Sequence, residues 1–360
     1  MDRESLHCDV IVIGAGLAGL TAAHLLQQAN IDVQLLEAGP RAGGRIAAVT
    51  DPETGKPLAD LGPTWVWPPY QPSVRQWIDT LQVTPFAQYE EGDALIDVDA
   101  DGPPMRRFLP GQHGMARIVG GPTALVQALL DRIDPKRLQF DCPVTKVSPA
   151  GGKFAVECSN GRIFSANKII AAAPLRAMSE QIDWSGLLDE PTLSLMGNAP
   201  TWMATQAKVA ILYDRAFWRE KGLSGRVASQ VGPLVEVHDH CGMDGDPAAL
   251  FGFVGWPADI RRGQDIRAAI IEQLVRCFGD AAAGFQRLEM CDWATVAAIC
   301  SQRDLETLPA HPQRLHDSIR TGFCNDKLYF AVAETAVDSP GLIDGAMEAG
   351  ARAARQVIGP

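Results

Sequence analysis

The chain has 360 residues, of which 46% are hydrophobic and 21% are charged, as is ordinary for a folded globular protein. This length suffices for two domains with separate cores, or for one domain that carries an insertion. The formal net charge of −11 argues against a nucleic-acid partner, because neutralising phosphates requires clustered lysine and arginine side chains.

Targeting segments and cysteine usage indicate the cellular location of a protein. Residues 1–5 carry neither the basic nor the apolar region of a secretory signal, and no apolar run approaches the ~20 residues that cross a bilayer. The eight cysteines are scattered without any Cys-x-x-Cys pair, which argues against a zinc site. We therefore expect a cytoplasmic protein with reduced cysteines, no membrane partner and no metal.

The first element in chain order is a β-α-β unit. Residues 9–13 form a short apolar run typical of a central parallel strand, and residues 20–29 carry apolar side chains at helical spacing. The glycine-rich segment 14–19 joins them, and a second strand at 33–36 ends on Glu37. This order gives the glycines a mechanical role.

The glycine segment predicts a dinucleotide site. Gly14 permits a tight turn, Gly16 lets the backbone approach a pyrophosphate, and Gly19 allows close packing of helix on strand. Ala15 lies between the first two glycines, and the N-terminus of the following helix favours the pyrophosphate charge. Glu37 can accept hydrogen bonds from both ribose hydroxyls of an adenosine.

The residues that follow Glu37 favour FAD over NAD. From Glu37 the chain reads EAGPRAGGRI, so that two glycines precede a fixed cation, Arg45. We expect Ala38 and Gly44 to lie against the cofactor and Arg45 to make a second pyrophosphate contact.

Further elements follow from periodicity and turn residues. In chain order they are an ordered loop at 67–72, a helix at 73–81, a stretch without long periodicity at 84–117, a helix at 121–130, a β-meander at 138–147, 153–158 and 162–173, strands at 209–213 and 249–254, a helix at 266–278, a strand at 328–333 and a helix at 344–356.

These elements predict an α/β fold. A Rossmann-like, glutathione-reductase-like FAD-binding domain carries an inserted α+β substrate domain, because nucleotide-binding elements stand at both ends and in the middle of the chain. We assign residues 1–84, 119–182 and 297–360 to the FAD-binding domain. Residues 85–118 and 183–296 form the substrate domain.

Five blocks of the sequence share their order and spacing with one enzyme family. They are residues 9–46, ADLGPTW at 59–65, CPVTKV at 142–147, KVAILY at 208–213 with the FW pair at 217–218, and AETA at 333–336 followed by GAMEAG at 345–350. Together they resemble the flavin-containing amine oxidases of the monoamine oxidase type.

The resemblance implies roles for residues in the later blocks. Gly62 would lie near the flavin, Val144 would contact the adenine side through its backbone, and Lys208 would hold a water against flavin N5. The last helix would begin at about Ile343, where its free N–H groups and dipole favour negative charge on the reduced flavin. Glu334 would reach the ribityl chain or the phosphates.

The chain departs from the family where two aromatic rings commonly stand opposite the flavin. One ring position, just ahead of the last helix, is Leu342, and the other falls in residues 297–302, which hold no aromatic side chain. We expect Trp65 and Leu342 to contact the substrate, with Trp65, Trp67 or Trp202 replacing the lost rings.

Some members of the family attach FAD through a cysteine in this same region. A gapless comparison from Trp293 places the attachment position at Gln302, so the nearby Cys300 is expected to be a buried apolar side chain. We therefore predict that FAD is bound non-covalently.

His238 and His240 are a separate candidate. In a strand they share one face, which is compatible with a metal site. With no further ligands nearby in the sequence, a loop or a strand edge is the preferred interpretation.

The resemblance implies that a neutral amine or amino acid loses a hydride from its α-carbon to flavin N5. The imine would be hydrolysed, and oxygen or another acceptor would reoxidise the flavin. Lys208 is the one catalytic side chain expected. Two alternatives stay open: another flavin oxidoreductase on the same fold, such as a renalase-like dihydronicotinamide oxidase or a carotenoid-type desaturase, and a protein in which FAD is structural. The sequence leaves the substrate, the electron acceptor and the oligomeric state open.

Overall fold

Two large sheets organise the molecule. The computed structural model describes residues 6–359. Its strands are, in chain order, β1 Leu6–Ile13, β2 Val33–Leu36, β3 Ala48–Thr50, β4 Pro57–Asp60, β5 Pro85–Ala87, β6 Asp93–Asp97, β7 Met105–Arg107, β8 Ala116–Ile118, β9 Leu138–Gln139, β10 Val144–Ala150, β11 Lys153–Cys158, β12 Ile163–Ala171, β13 Ala207–Tyr213, β14 Leu223–Ser229, β15 Leu234–Asp239, β16 Ala248–Val254, β17 Arg287–Asp292 and β18 Leu328–Phe330. The α-helices are α1 Leu17–Gln28, α2 Pro72–Leu81, α3 Thr123–Leu130, α4 Leu175–Gln181, α5 Glu190–Asn198, α6 Phe217–Glu220, α7 Ala258–Gly263, α8 Ile266–Phe278, α9 Gln302–Glu306 and α10 Ile343–Ile358.

The first sheet contains five parallel strands in the order β18-β12-β1-β2-β9. The long strand β12 has two partners on one edge: its first half pairs with antiparallel β11 and its second half with parallel β18. Strand β10 pairs with β11 and completes a β-meander. The predicted α/β fold with a Rossmann-like sheet is confirmed.

The central strand β1 is buried on both faces, as its continuous apolar sequence requires. Val10 and Val12 pack in a core with α1 and α10. Ile11 and Ile13 pack on the opposite side with β11 and α4.

The second sheet has the order β17-β13-β16-β15-β14-β6-β7. In β13, Val209 and Ile211 face a core shared with α8, whereas Ala210 and Leu212 face β3 and β4. Because side chains alternate along a strand, Lys208 lies on the same face as Ala210, which is the face that packs on β3 and β4.

The single strand predicted at 138–147 is wrong. Strand β9 pairs in parallel with β2, and β10 begins only at Val144. Asp141 has a φ of 50°, and Pro143 has no backbone N–H, so the chain turns between these two strands. The stretch 84–117 contains β5 to β8, of which β6 and β7 extend the second sheet. The strand predicted at 328–333 ends at Phe330.

The segments assigned to the FAD-binding domain supply every strand described in the first sheet, and those assigned to the substrate domain supply every strand described in the second sheet. Residues 187–199 fall in the assigned substrate domain, but Met196 and Ala199 of this segment pack in the core of the first sheet. The division into domains stays a prediction. No helix within residues 6–359 is long and apolar enough to span a membrane.

Candidate active site

A cavity of about 660 Å³ lies between the two sheets, within the ~300–1,000 Å³ typical of small-molecule and cofactor sites. Most of the predicted site residues line it. They are Gly14, Gly16, Glu37, Ala38, Gly44, Arg45, Gly62, Trp65, Val144, Lys208, Leu342 and Ile343. Ala15, Gly19 and Glu334 do not line the cavity but adjoin residues that do.

Bare backbone forms one wall of this cavity. Gly14 has a φ of 102°, and a Cβ there would lie 2.9 Å from the carbonyl oxygen of Ala172. A Cβ on Gly19 would overlap the carbonyl oxygen of Gly14, so α1 packs on the loop only with glycine at that position. A Cβ on Gly44 would lie 3.3 Å from the Cα of Gly16. Two glycine segments and the N-terminus of α1 thus form a cradle that fits a diphosphate.

Glu37 stands at the end of β2 with its carboxylate fixed by two backbone N–H groups. Ala15 donates to Oε2 and Gly39 donates to Oε1, both at 2.8 Å. A carboxylate oxygen accepts more than one hydrogen bond, so both oxygens keep capacity for ribose hydroxyls. Val144 lies nearby, because Cys142 N–H donates to the Glu37 carbonyl at 2.9 Å.

Arg45 and Glu334, predicted as separate contacts to the cofactor, form a two-point ion pair. Nη1 lies 2.6 Å from Oε1 and Nη2 lies 3.0 Å from Oε2. Arg45 lines the cavity, whereas Glu334 lies behind it with its side chain 5% exposed. Glu334 therefore orients the guanidinium of Arg45, and its own contact with the cofactor stays a prediction.

Lys208 is buried in the wall formed by β13 and the segment after β4. Its Nζ donates to the Gly62 carbonyl at 2.7 Å and lies 5.3 Å from the centroid of the Phe253 ring. Burial lowers the pKa of Lys208 to about 8, although the negative charge of Asp60 opposes this shift. The side chain is therefore a cation below about pH 8 and a neutral amine above it.

Aromatic side chains line the cavity although the two expected ring positions lack them. Trp65 stacks on Phe253 with 6.0 Å between ring centroids, and its Nε1 donates to Gln88 at 2.8 Å. Further residues with large or aromatic side chains that line the cavity include Trp67, Trp202, Met203, His311 and Leu342.

Phe253, Met203 and His311 are cavity residues that sequence reasoning missed. Phe253 lies directly opposite Lys208 in the register of β13 and β16. Both strands are predicted, but no local signal gives their register. His311 lies in a segment without helix or strand periodicity.

The interpretation as a loop or strand edge is wrong for His238, which lies in the interior strand β15, whereas His240 lies in the loop that follows this strand. His238 packs edge-on against Trp65, with 4.7 Å between ring centroids. His240 Nε2 accepts a hydrogen bond from Asp60 N–H at 3.0 Å, and burial together with the charge of Arg117 lowers the pKa of His240. Residues 6–359 hold no cluster of three metal-ligating side chains. Both histidines thus support the wall near Trp65 and Asp60.

The cysteines bear on how a cofactor would be held. Cys300 is buried, as expected, and neither it nor Gln302 lines the cavity. Cys142 and Cys291 do line it. Burial raises the pKa of Cys291, which disfavours the reactive thiolate.

Comparison with known families agrees with the cofactor cradle. Residues 12–81 match the model of an NAD(P)-binding Rossmann-like domain, and residues 98–358 match that of flavin containing amine oxidoreductase. Together with the Rossmann-like sheet, these matches make the protein an FAD-dependent oxidoreductase. The chain belongs to the flavin-containing amine oxidoreductase family, which confirms the predicted cofactor and family.

Individual relatives are distant but match over most of their length. The chain is 19% identical to a probable flavin-containing monoamine oxidase A of Dictyostelium discoideum, over 97% of both chains. It is 22% identical to a flavin-containing amine oxidase of Oncorhynchus mykiss, over 97% of this chain and 85% of that protein. A solved putrescine oxidase with bound putrescine superposes with a TM-score of 0.80 at 20% identity, over 97% of this chain and 98% of the other. Cyclohexylamine oxidase from Brevibacterium oxydans superposes with a TM-score of 0.80 at 18% identity, over 98% of each.

Proposed function

We propose that the protein oxidises the carbon–nitrogen bond of a small amine or amino acid, with FAD held non-covalently in the cavity. When bound, FAD supplies the hydride acceptor, flavin N5, and passes the electrons to oxygen or another acceptor. The observation that carries the proposal is the buried Lys208 on a wall rich in aromatic side chains. The cytoplasmic location expected from the sequence is part of the same proposal.

Residues of the first sheet would hold the cofactor. The backbone of Gly16 and Gly44, with the N-terminus of α1, would bind the diphosphate, and Glu37 would bind the adenosine ribose. Val144 would contact the adenine side. The start of α10 at Ile343, which lines the cavity, would face the flavin ring.

Lys208 would act as a positioned donor. Its ammonium carries three hydrogens, and the Gly62 carbonyl takes one of them. The remaining hydrogens can hold a water at the reacting end of the cavity, and the positive charge stabilises negative charge that develops there. The positive charge of Lys208 on the cavity wall also disfavours a protonated substrate, so the amine would react in its neutral form.

Replacing Asp60 with asparagine should shift the pH dependence of the step that uses Lys208. Asp60 raises the pKa of Lys208, whereas burial and the charge of Arg45 lower it. The rate should fall as the pH rises through about 8 in the parent, and this fall should occur at lower pH in Asp60→Asn. Stopped-flow measurement of both half-reactions between pH 6 and 10, anaerobic reduction at saturating amine and reoxidation by oxygen, measures the shift. Asp183→Asn, which removes an exposed carboxylate paired with Lys146, should leave the profile in place.

An amine panel tests the proposed function. The holoenzyme is mixed anaerobically with aryl and alkyl amines, diamines and amino acids, and loss of the oxidised flavin absorption is followed. At least one amine should reduce the flavin, and hydrogen peroxide should appear in air if oxygen is the acceptor. Reduction by a dihydronicotinamide and by none of the amines would overturn the proposal in favour of a renalase-like enzyme.

Acid precipitation tests the mode of flavin attachment. Because the sequence-aligned position is Gln302 and Cys300 is off the cavity wall, all flavin should pass into the supernatant. Flavin retained by the precipitate would contradict non-covalent binding. Cys291→Ala would then show whether that cavity cysteine is the point of attachment.

A further inference from the structure

The backbone of Trp202 is held on both sides by the Arg45–Glu334 ion pair. Trp202 N–H donates to Glu334 Oε1 at 3.0 Å, and Arg45 Nη1 donates to the Trp202 carbonyl at 3.2 Å. Burying two charges is unfavourable unless each is paired and hydrogen-bonded, and here the two charged side chains are hydrogen-bonded to each other and to the backbone N–H and carbonyl of Trp202. Trp202 lies outside any helix or strand, so this pair fixes its position.

The side chain of Trp202 packs on the backbone that leads into α10. Gly341 has a φ of 80°, and a Cβ there would lie 2.8 Å from the Trp202 Cβ and 2.7 Å from Pro312 Cγ. The His311 ring lies 4.5 Å from the indole, centroid to centroid, with 48° between the planes. Trp202, His311, Gly341 and Leu342 all line the cavity.

We propose that Trp202, backed by His311, is the substrate-positioning wall at the α10 end of the cavity. The proposal rests on the proposed function, which places the flavin ring at the start of α10. The position just ahead of α10, where the family commonly has an aromatic ring, carries Leu342. The indole of Trp202 lines the same cavity and offers the aromatic surface that Leu342 lacks. Such a face holds the apolar body of an amine by contact area and ring geometry, and a leucine offers less of both.

The held backbone explains why Trp202 suits this role. A side chain that positions a substrate must itself be fixed, and the Arg45–Glu334 pair, Gly341 and His311 constrain Trp202 from different sides. Glu334 thereby reaches the substrate side of the cavity indirectly, through the peptide of Trp202.

Aniline is the probe for this wall. The carbon bonded to nitrogen in aniline carries no hydrogen, so there is no hydride to transfer and aniline binds without turnover. Its dissociation constant is measured from the change in flavin absorption of the holoenzyme and by calorimetry. Trp202→Leu should weaken aniline binding about tenfold and Trp202→Phe about threefold, with unchanged FAD content and melting temperature. Trp256→Leu, at a half-buried tryptophan that does not line the cavity, should bind like the parent.

A second arm uses oxidisable amines. Anaerobic reduction by benzylamine should show a raised dissociation constant in Trp202→Leu, whereas methylamine, which has no apolar body to pack on the indole, should be little affected. Parent-like aniline binding in Trp202→Leu would overturn the proposal, and so would a parent that does not bind aniline. If Trp202→Leu loses FAD or stability, Trp202→Phe decides between the same two outcomes. A parent that no amine reduces refutes the proposed function, whereas the aniline arm still decides the role of Trp202.

Discussion

Replacing Lys208 with methionine is expected to slow flavin reduction, reoxidation or both about 100-fold, while the FAD content stays at the level of the parent. A positioned donor in a cavity that excludes water typically contributes a factor of ~10²–10³ to the rate. Methionine keeps most of the length and apolar packing of the lysine stem. Stopped-flow measurement of the two half-reactions, with oxygen as the trial acceptor, gives each rate separately.

The stability of this variant should stay close to that of the parent at pH 7. Burial lowers the pKa of Lys208 to about 8 in the folded protein, below its unfolded value, so the charge opposes folding at pH values below about 8. This unfavourable contribution disappears as the pH rises from about 8 to about 10.4, the ordinary lysine value. Removing the charge therefore offsets the loss of the donor to the Gly62 carbonyl.

Lys168→Met is the matched control. Lys168 is a half-buried lysine of β12 that does not line the cavity, and its Nζ also donates to a backbone carbonyl, that of Val357, at 2.9 Å. This variant should react like the parent. Parent rates in both variants would mean that Lys208 has only a structural role, and an equal loss in both would point to a general effect of removing a strand lysine.

The Glu37→Ala variant should bind FAD about 100-fold more weakly and lose its yellow colour on dialysis. The carboxylate is fixed by the N–H groups of Ala15 and Gly39 and would accept hydrogen bonds from two ribose hydroxyls. Hydrogen bonds to a charged group contribute about 1.5 kcal/mol or more each, and two of them correspond to roughly two orders of magnitude in affinity. Titration of the apoprotein with FAD, followed by fluorescence, measures the dissociation constant.

Two further variants make this result specific. Glu37→Gln keeps one acceptor and should lie between the parent and Glu37→Ala. Glu53→Ala removes an exposed carboxylate of a loop and should bind FAD like the parent. Equal affinities of Glu37→Ala and the parent would place the adenosine elsewhere in the cavity.

The parts of the fold that the sequence predicts well are those with local signals. The β-α-β unit depends on a glycine spacing and an apolar run within a few tens of residues, and the helix at 266–278 has bounds identical to those of α8. The glycines of the cradle are predictable because a side chain at positions such as Gly14 and Gly19 would collide with neighbouring backbone. A Cβ on Gly19, for example, would overlap the carbonyl oxygen of Gly14.

The parts that the sequence does not predict depend on distant pairing. The Arg45–Glu334 pair joins residues 289 positions apart, and nothing near either residue indicates it. The alignment of Lys208 with Phe253 depends on the register of β13 and β16. The pairing of the two-residue strand β9 with β2 brings together segments about 100 residues apart, and no local pattern indicates it. Trp202 can be named as an aromatic candidate from the sequence, but its fixed position follows only from these long-range contacts.

The contact between the first and last helices has a consequence for biosynthesis. Helix α10 packs on α1 so closely that a Cβ on Gly350 would overlap the carbonyl oxygen of Ala18, and β18 completes the parallel sheet beside β12. A ribosome adds about 5–20 residues per second, so α1 emerges on the order of tens of seconds before its partner. During translation the apolar face of α1 is therefore uncovered until α10 is made. The cradle proposed to bind the diphosphate includes the N-terminus of α1, so it gains its final support only after α10 has been synthesised.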